Sequence, residues 1–391
     1  MTNSPVRQLI DAARARIAAE GMRGLSLRVI AHDVGISLGS LSYRIGDKAA
    51  LLKQLLEREH LEQQQSQASW VERVRGLDLT DPLVLSSVIT TWIEDASQVT
   101  RVSSLVGCEL FLEAAVSPDL YPGMAAILDA QDDFWRDLMV GLLPFEDAVL
   151  FGRAIASYIR DELPFSLAAG GNADYRLLRA ATVECLASRL AGTHTGLRAR
   201  FPQLVAACGN ESAEAPLLID LTPGTKRADI AGEIASLIAE QGVAAISHRA
   251  VAARAGVSNS SVAHYFRTRS DLLSAGFGAL VLSMRNELQD LGAPARFQSW
   301  SALMRSTHAI ALAAARDPQL MPFALDMRRR RAENGREAIR GALSRGVPID
   351  EASIQSAALI LVGNFLAMEA RGACDGSGRI TIEDLARLRQ L

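Results

Sequence analysis

Residues 21–52 read GMRGLSLRVIAHDVGISLGSLSYRIGDKAALL, and residues 242–273 read GVAAISHRAVAARAGVSNSSVAHYFRTRSDLL. The two stretches align without a gap at a shift of 221 residues, and the alignment extends back to 12 and 233 with eleven identical positions in all. An internal repeat of this kind indicates that one structural unit is used more than once. The sequence therefore predicts two copies of the same fold within 391 residues.

Each copy begins with the signals of a helix, a tight turn and a second helix. Ser26 is placed to cap a short helix, Gly35 suits the left-handed turn, and Ser37 is placed to cap the next helix. The second copy has the same residue types at Ser247, Gly256 and Ser258. A helix-turn-helix places the N-terminal part of its second helix in the major groove of DNA. The sequence thus predicts a DNA-reading head in each copy.

Both heads fit the pattern G-x(3)-[LI]-S-x-R-x-[IV]-A-x(3)-G-[IV]-S, followed by aromatic residues, a basic residue and Leu-Leu. This pattern resembles the TetR (tetracycline-repressor) family of bacterial regulators. The resemblance implies an all-α fold, DNA binding, and dimerisation through the last two helices of each unit. Members are usually single copies, so this chain resembles two fused members. Both heads lack the first tyrosine of the family's L-Y-x-[YH]-F segment, since they read LSYRI at 41–45 and VAHYF at 262–266.

The domain organisation follows from the repeat. We predict a helix-turn-helix domain at 1–50 (head 1), a helical body at 51–192, a linker at 193–225, a second helix-turn-helix domain at 226–272 (head 2) and a second helical body at 273–391. The segment SPDLYP at 117–122 returns as DPQLMP at 317–322, a shift of only 200 residues. The smaller shift predicts that the second copy has lost residues in its middle.

The apolar period in both bodies is that of α-helices, and no alternating strand pattern competes with it. The predicted helices lie at about 47–66, 81–98, 102–116, 122–142, 145–169 and 173–191, and at about 270–291, 298–316, 320–345, 350–372 and 381–391. The fold class predicted from the sequence is therefore all-α, with two tandem TetR-like repeats.

Fourteen residues of the heads are candidates for DNA contact. They are Arg28, Ser37, Leu38, Ser40, Tyr43, Arg44 and Lys48 in head 1, and Arg249, Ser258, Asn259, Ser261, His264, Tyr265 and Arg269 in head 2. Ser37 and Ser258 can cap their helices, bind phosphate, or do both. The resemblance implies phosphate or base contacts for the aromatic residues, the histidine and Arg44; the alternative is packing against the first helix. The remaining cations are phosphate anchors or ordinary surface charges.

One position predicts that the two heads read different sequences. Asn259 carries an amide that can pair bidentately with adenine, whereas the aligned Leu38 can make only apolar contacts, for example with a thymine methyl. The two half-sites bound by this chain should therefore differ.

Charge is unevenly distributed along the chain. The formal net charge is −3, yet residues 1–60 hold 9 Lys/Arg against 6 Asp/Glu, and residues 226–285 hold 7 against 4. The two head segments are thus each +3 and the rest of the chain is −9. This pattern is compatible with localised phosphate contacts and weak non-specific binding elsewhere.

Three further sequence features bear on enzyme or metal chemistry, and in each case that chemistry is disfavoured. The segment GISLG at 35–39 satisfies the G-x-S-x-G nucleophile elbow, but the elbow requires a preceding strand and the preceding residues favour a helix. The four cysteines are far apart and have no histidine cluster nearby, which disfavours a zinc site. Residues 375–384 resemble part of an EF-hand loop, but a glycine turn into a helix capped by Thr381 and Asp384 is favoured. We expect no enzyme activity and no cofactor.

The bodies are expected to bind a small effector, as the resemblance implies. Candidate pocket residues are Trp92, Phe111, Tyr121, Trp135 and Tyr158, or Trp300, Met304, His308, Met321 and Phe323; plain core packing is the alternative for each. The run Arg328–Arg331 is interpreted as a solvated helix face rather than an anion site. The apolar run at 357–368 is too short to span a bilayer, so we expect a cytoplasmic protein without membrane contact.

The sequence predicts a ligand-responsive repressor that binds an asymmetric double-stranded DNA operator as a single-chain pseudo-dimer. Association of two chains, giving four heads, is a second arrangement. The alternative function is a cytoplasmic ligand-binding or partner-binding module in which one or both heads no longer bind DNA.

Overall fold

The computed structural model describes residues 5–191, 196–210, 221–289, 297–333, 335–344, 349–373 and 378–390. Within these ranges the protein consists of helices and connecting turns, without a β-strand. The helices are α1 (Pro5–Glu20), α2 (Leu27–Val34), α3 (Leu38–Ile45), α4 (Lys48–Val74), α5 (Pro82–Gln98), α6 (Arg101–Val116), α7 (Met124–Met139), α8 (Phe145–Ala169), α9 (Ala173–Ala187), α10 (Phe201–Asn210), α11 (Lys226–Gln241), α12 (His248–Ala255), α13 (Asn259–Tyr265), α14 (Arg269–Gln289), α15 (Phe297–Ala314), α16 (Met321–Arg329), α17 (Arg336–Leu343), α18 (Glu351–Arg371) and α19 (Ile382–Leu388). The all-α prediction is confirmed.

The body helices begin and end close to the predicted positions, with two differences. Helix α4 continues to Val74 instead of ending near 66, because Trp70 and Val74 carry its buried side onward. The single helix predicted at 320–345 is two helices, α16 and α17, which are separated by a turn in which Ala332 has a φ of +83°.

The two heads have the same local structure. In head 1, the Ser26 side chain accepts a hydrogen bond from the Val29 amide, and Gly35 ends α2 in the left-handed conformation with φ 73°. In head 2, Ser247 accepts from the Ala250 amide, and Gly256 ends α12 with φ 63°. These caps and turns are the ones predicted from the sequence.

Four long helices pack together in the centre of the molecule. Helix α8 lies along α18, α6 packs on α18, α15 packs on α8, and α6 also contacts α15. The α8–α18 crossing is very close, because a Cβ added at Gly363 would lie 1.9 Å from the carbonyl oxygen of Ser157. Helices from the N-terminal and C-terminal halves of the chain therefore share one core.

Among the described residues, the second half of the chain has one helix fewer before these four helices. The 17-residue α5 lies between α4 and α6, whereas only residues 290–296 separate α14 from α15. Seven residues cannot hold a helix of that length. This difference is consistent with the fall in the internal alignment shift from 221 to 200 residues.

The segment predicted as a linker, 193–225, is not a bare connection. It contains α10, which packs against α9 and α16. Just before this helix, the Arg198 Nε donates to the Asp350 carboxylate at 2.8 Å, next to the start of α18. Part of the connection is therefore fastened to the body.

Helix α18 corrects one prediction about apolar length. In the part of the chain that the structure describes, it is the helix whose length and hydropathy would allow it to cross a membrane. Its most apolar window is 83% buried inside the protein. The apolar character is thus explained by its central position in the core. At the end of the chain, Thr381 and Asp384 form the predicted capping box of α19.

Candidate nucleic-acid interface

The second helix of each head has one buried and one exposed side. In α3, Leu41 and Ile45 face the core. On the other side, the Tyr43 side chain is 93% exposed, Leu38 is 42% exposed, and Arg44 is exposed. In α13, Val262 is buried, whereas Asn259 and His264 are exposed. An exposed helix face of this kind is available to a DNA groove.

The serines that open these helices act as caps. The Ser37 Oγ accepts a hydrogen bond from the Ser40 amide at 3.1 Å, and the Ser258 Oγ accepts from the Ser261 amide at 3.1 Å. Both cap residues remain exposed, while Ser40 and Ser261 are half-buried. Capping is therefore present in both heads. It leaves the exposed Ser37 hydroxyl accessible to a further partner, whereas the Ser258 Oγ also lies 2.9 Å from the Ser260 Oγ and donates to the Ser261 Oγ at 3.0 Å.

The aromatic residues of the two heads are placed differently. Tyr43 extends from the surface, but the His264 and Tyr265 rings contact each other edge to face with centroids 5.0 Å apart. Tyr265 is half-buried and packs against the hydrophobic core. Arg44 aligns with Tyr265, so head 1 presents a cation where head 2 presents a partly packed ring.

The predicted phosphate anchors also differ between the two heads. Arg28, Lys48 and Arg249 are exposed on the heads. Arg269 is also exposed, but it donates from Nε to the Ile246 carbonyl and from Nη2 to the Val243 carbonyl, each at 3.2 Å. Arg269 therefore joins α14 to the turn before α12, in addition to any contact that it makes outside the protein.

An ion pair that sequence reasoning missed holds the first two helices of each head together. In head 1, Arg16 of α1 pairs with Asp33 of α2 at 2.7 Å. In head 2 the charges are exchanged, because Arg254 of α12 pairs with Glu240 of α11 at 2.6 Å and with Glu233 at 3.1 Å. Asp33 and Arg254 align in the repeat, so a comparison of charge sign at aligned positions would have indicated this pair.

The two heads lie side by side. Helix α1 packs on α6, α11 packs on α15, and α6 contacts α15. The Arg23 Nη2 atom of head 1 lies 3.9 Å from the position that a Cβ would take on Gly242 of head 2. The exposed Arg23 was not among the predicted DNA contacts, and its position next to the other head could not be read from its neighbours in the sequence.

The predicted pocket residues of the bodies are mostly core. Trp135, Tyr121, Phe111, Tyr158, Met304, His308 and Phe323 are buried, and Trp92 and Met321 are partly buried. The Trp300 side chain lies outside the described residues. Burial raises the pKa of the Tyr158 hydroxyl well above its ordinary value, and this hydroxyl lies 2.7 Å from the Thr182 Oγ1 atom. These positions favour the core alternative over an open pocket.

The interpretation of Arg328–Arg331 as a solvated face is wrong. The Arg328 side chain is fully buried and pairs with the equally buried Glu162 of α8 at 2.7 Å. Arg331 donates through Nε to Asp161, which directly precedes Glu162 on α8, at 2.8 Å. Arg328 and Arg331 turn inward because their carboxylate partners lie on a helix from the other half of the chain. Arg329 and Arg330 instead pair with Asp326 of their own helix.

Asp161 also binds a buried histidine. The His308 Nε2 and the Asp161 Oδ1 are 2.6 Å apart, and both side chains are fully buried. Burial lowers the pKa of His308 below its usual value, and this exceeds the opposing effect of Asp161. Burial would raise the pKa of Asp161, but Arg331 and His308 outweigh it, and the pKa falls. The site therefore holds an ionised aspartate between a cation and a neutral imidazole near pH 7.

Comparison with known protein families gives one match, which lies in the second head. Residues 233–275 match the family model described as bacterial regulatory proteins, tetR family. The match begins within α11, covers α12 and α13, and ends within α14. No curated protein matches the chain. The match supports membership of this family on the segment that carries the helix-turn-helix.

Proposed function

We propose that this chain is a cytoplasmic TetR-family regulator of transcription in which one polypeptide supplies both DNA-reading heads. The premise is the family match at 233–275 together with its gap-free internal alignment to residues 12–52. Both segments form three helices with the same serine caps and left-handed glycine turns. The family match supports DNA-binding regulation in general. The use of two heads by one chain is our proposal beyond that match.

The use of two heads by one chain is supported by the way body helices of the two halves exchange packing partners. If the second copy repeats the first, α6 corresponds to α15 and α8 corresponds to α18. Helix α6 packs on α18, and its counterpart α15 packs on α8. The corresponding helices also contact each other, as α8 with α18 and α6 with α15. Two units related by a two-fold axis produce such reciprocal contacts.

The proposed operator is double-stranded and asymmetric. Leu38, Tyr43 and Arg44 of head 1 would lie in one major groove, and Asn259 and His264 of head 2 would lie in the next. The capping serines and the exposed cations would position the heads on phosphates. A small effector that binds in the helical bodies would change the separation of the heads, so that the protein acts as a ligand-responsive repressor.

A second candidate function has one specific observation in its favour. Tyr265 packs partly inward and Arg269 is bonded to backbone carbonyls, so head 2 offers fewer free groups than head 1. A chain in which head 2 no longer binds DNA would serve as a ligand-binding or partner-binding module. Loss of sequence preference at one half-site would identify this case.

Arg44→Ala tests the role of head 1. DNA fragments that bind the chain are selected from a random pool at a fixed salt concentration, and affinity for the selected site is then measured. We expect Arg44→Ala to weaken binding by about 1–3 kcal/mol, because it removes a contact to a base edge or phosphate. Arg75→Ala is the matched control, since Arg75 is an exposed cation beyond the end of α4.

Unchanged affinity in Arg44→Ala would exclude head 1 from the interface. If the wild-type chain selects no DNA sequence at all, the regulator proposal itself fails. Asn259→Ala in the same assay reports on head 2, and we expect it to relax the preference at one base pair of one half-site.

A further inference from the structure

The end of α1 in head 1 is bound by a residue from the far half of the chain. The Arg316 Nε donates to the Ala18 carbonyl at 2.8 Å, and its Nη2 donates to the Ile17 carbonyl at 3.1 Å. Both carbonyls belong to the last turn of α1. The Ile17 carbonyl also accepts from the Gly21 amide at 2.8 Å, whereas acceptors such as the Ala18 carbonyl at a helix end need a partner from outside the helix. Arg316 follows α15, so this contact crosses between the two halves.

Glu109 of α6 completes the same cluster. Its Oε1 accepts from the Arg316 Nη1 at 2.6 Å, and its Oε2 accepts from the Met22 amide at 3.2 Å. Both charged side chains are mostly buried, with 16% of Arg316 and 15% of Glu109 exposed. A charge-assisted pair in such surroundings has well-defined geometry. The turn from Ile17 to Met22 is therefore held on both sides.

Among the residues that the structure describes, head 2 shows no equivalent of this clamp of Arg316 and Glu109. The shift of 200 residues that aligns 117–122 with 317–322 also aligns Arg316 with Val116 and Glu109 with Ala309. The Val116 side chain is 60% exposed. Neither a valine nor an alanine can donate to a helix end or accept from an amide. Head 2 contacts its body through α11 on α14, and through α11 and the following turn on α15. Arg269 of α14 donates to the Val243 and Ile246 carbonyls, but this residue belongs to the same half of the chain as head 2.

A second polar anchor is also confined to head 1. Arg14 of α1 donates through Nε to Glu59 of α4 at 2.6 Å, and both residues are buried. The aligned residues in head 2 are Ala235 and Leu280, which are apolar and buried. The two heads are thus fixed to the bodies by different means.

We propose that Arg316 and Glu109 are positioning residues for DNA recognition by head 1, and that head 2 is oriented without them. The pair sets the angle at which head 1 leaves the body, and it does so across the boundary between the two halves. Loss of the pair frees head 1 to rotate, which lowers the fraction of molecules that match the operator. This inference rests on the proposed function, because it concerns the orientation of a DNA-reading head.

The test is footprinting of the selected operator with Arg316→Met. The half-site of head 1 is first identified as the one whose protection Arg44→Ala removes. We expect Arg316→Met to bind the full operator about tenfold more weakly, a change of about 1.4 kcal/mol. Protection should be lost at the head 1 half-site and retained at the other, which shows that the protein is folded.

Arg101→Met is the matched control. Arg101 donates to the Leu167 carbonyl and the Ala315 carbonyl at 2.8 Å each, so it also joins the two halves, but these bonds do not reach head 1. We expect both half-sites to be protected in this variant. Glu109→Gln provides a second variant of the clamp. In the double variant with Arg316→Met, the loss of operator affinity should be smaller than the sum of the two single losses.

Three outcomes would overturn the inference: equal protection of both half-sites by Arg316→Met, equal weakening of both, or the same half-site loss in Arg101→Met. If Arg316→Met does not fold, Glu109→Gln alone decides by the same half-site measurement. Failure of the wild-type chain to bind DNA would instead overturn the proposed function, so the two failures are distinguishable.

Discussion

Replacement of Arg328 by methionine is expected to lower the free energy of unfolding by about 3–5 kcal/mol, because it leaves the Glu162 carboxylate buried without its cation. Both side chains are fully buried. The Arg328 Nε lies 3.0 Å from one Glu162 oxygen and 2.9 Å from the other. Since Glu162 lies on α8 and Arg328 on α16, the change should also loosen the contact between the two halves of the chain.

Arg330→Met is the control for this prediction. Arg330 lies in the same arginine run, but its side chain is 26% exposed, and its partner Asp326 also pairs with Arg329. We expect this variant to cost at most about 1 kcal/mol. The measurement is the urea midpoint of each variant, with unfolding monitored by a probe of the body such as tryptophan fluorescence.

The double variant Glu162→Leu/Arg328→Met separates charge burial from lost packing. It removes both charges, and we expect it to recover most of the stability lost in Arg328→Met. The two tyrosines that contact Glu162 keep other partners, as the Tyr158 hydroxyl lies 2.7 Å from Thr182 and the Tyr175 hydroxyl lies 2.7 Å from Ser166. An Arg328→Met midpoint equal to that of Arg330→Met would contradict the assignment of Arg328 to the interior.

Replacement of Gly363 by alanine is the second prediction with a large effect. In an exposed helix, alanine in place of glycine stabilises by about 1 kcal/mol. At Gly363 the new methyl group would lie 1.9 Å from the Ser157 carbonyl oxygen and 2.8 Å from its carbon. The neighbour is backbone, so α8 and α18 must move apart. We expect a loss of about 3 kcal/mol, the upper range for overpacking, and a larger loss for Gly363→Val.

Gly232→Ala provides the matched control, because Gly232 lies within α11 and a Cβ there meets no atom within 4 Å. Thermal unfolding of the two variants should give shifts of opposite sign, with Gly232→Ala equal to or more stable than the wild type. A stable Gly363→Ala protein with unchanged DNA binding would show that the close α8–α18 crossing does not hold the halves together.

The heads were predictable from the sequence because their structure depends on short-range contacts. Ser37 and Ser258 bond to amides three residues later, and Gly35 and Gly256 adopt the left-handed turn that their residue type allows. The body helices were predictable for a similar reason, since each has a sustained apolar period. Local pattern and final structure agree in these elements.

Contacts between distant residues explain where prediction failed. Arg328 and Glu162 are separated by 166 positions, so nothing near the arginine run indicates that it is buried. The same applies to the clamp, because Arg316 and Ala18 are 298 positions apart. Helix α10 was missed because its ten residues lie in a segment without a sustained apolar period, and it is held by packing on α9 and α16. Its contribution depends on the partners that the fold supplies.

In the proposed complex, one chain places two heads on one duplex. The most direct test is the mass of the complex formed with the selected DNA, measured by light scattering or native mass spectrometry and combined with its footprint. We expect one chain per duplex and two unequal protected half-sites with centres one helical turn apart, about 34–36 Å, or a multiple of that distance. Two chains on a perfectly symmetric site, with one head of each chain in contact with DNA, would contradict it.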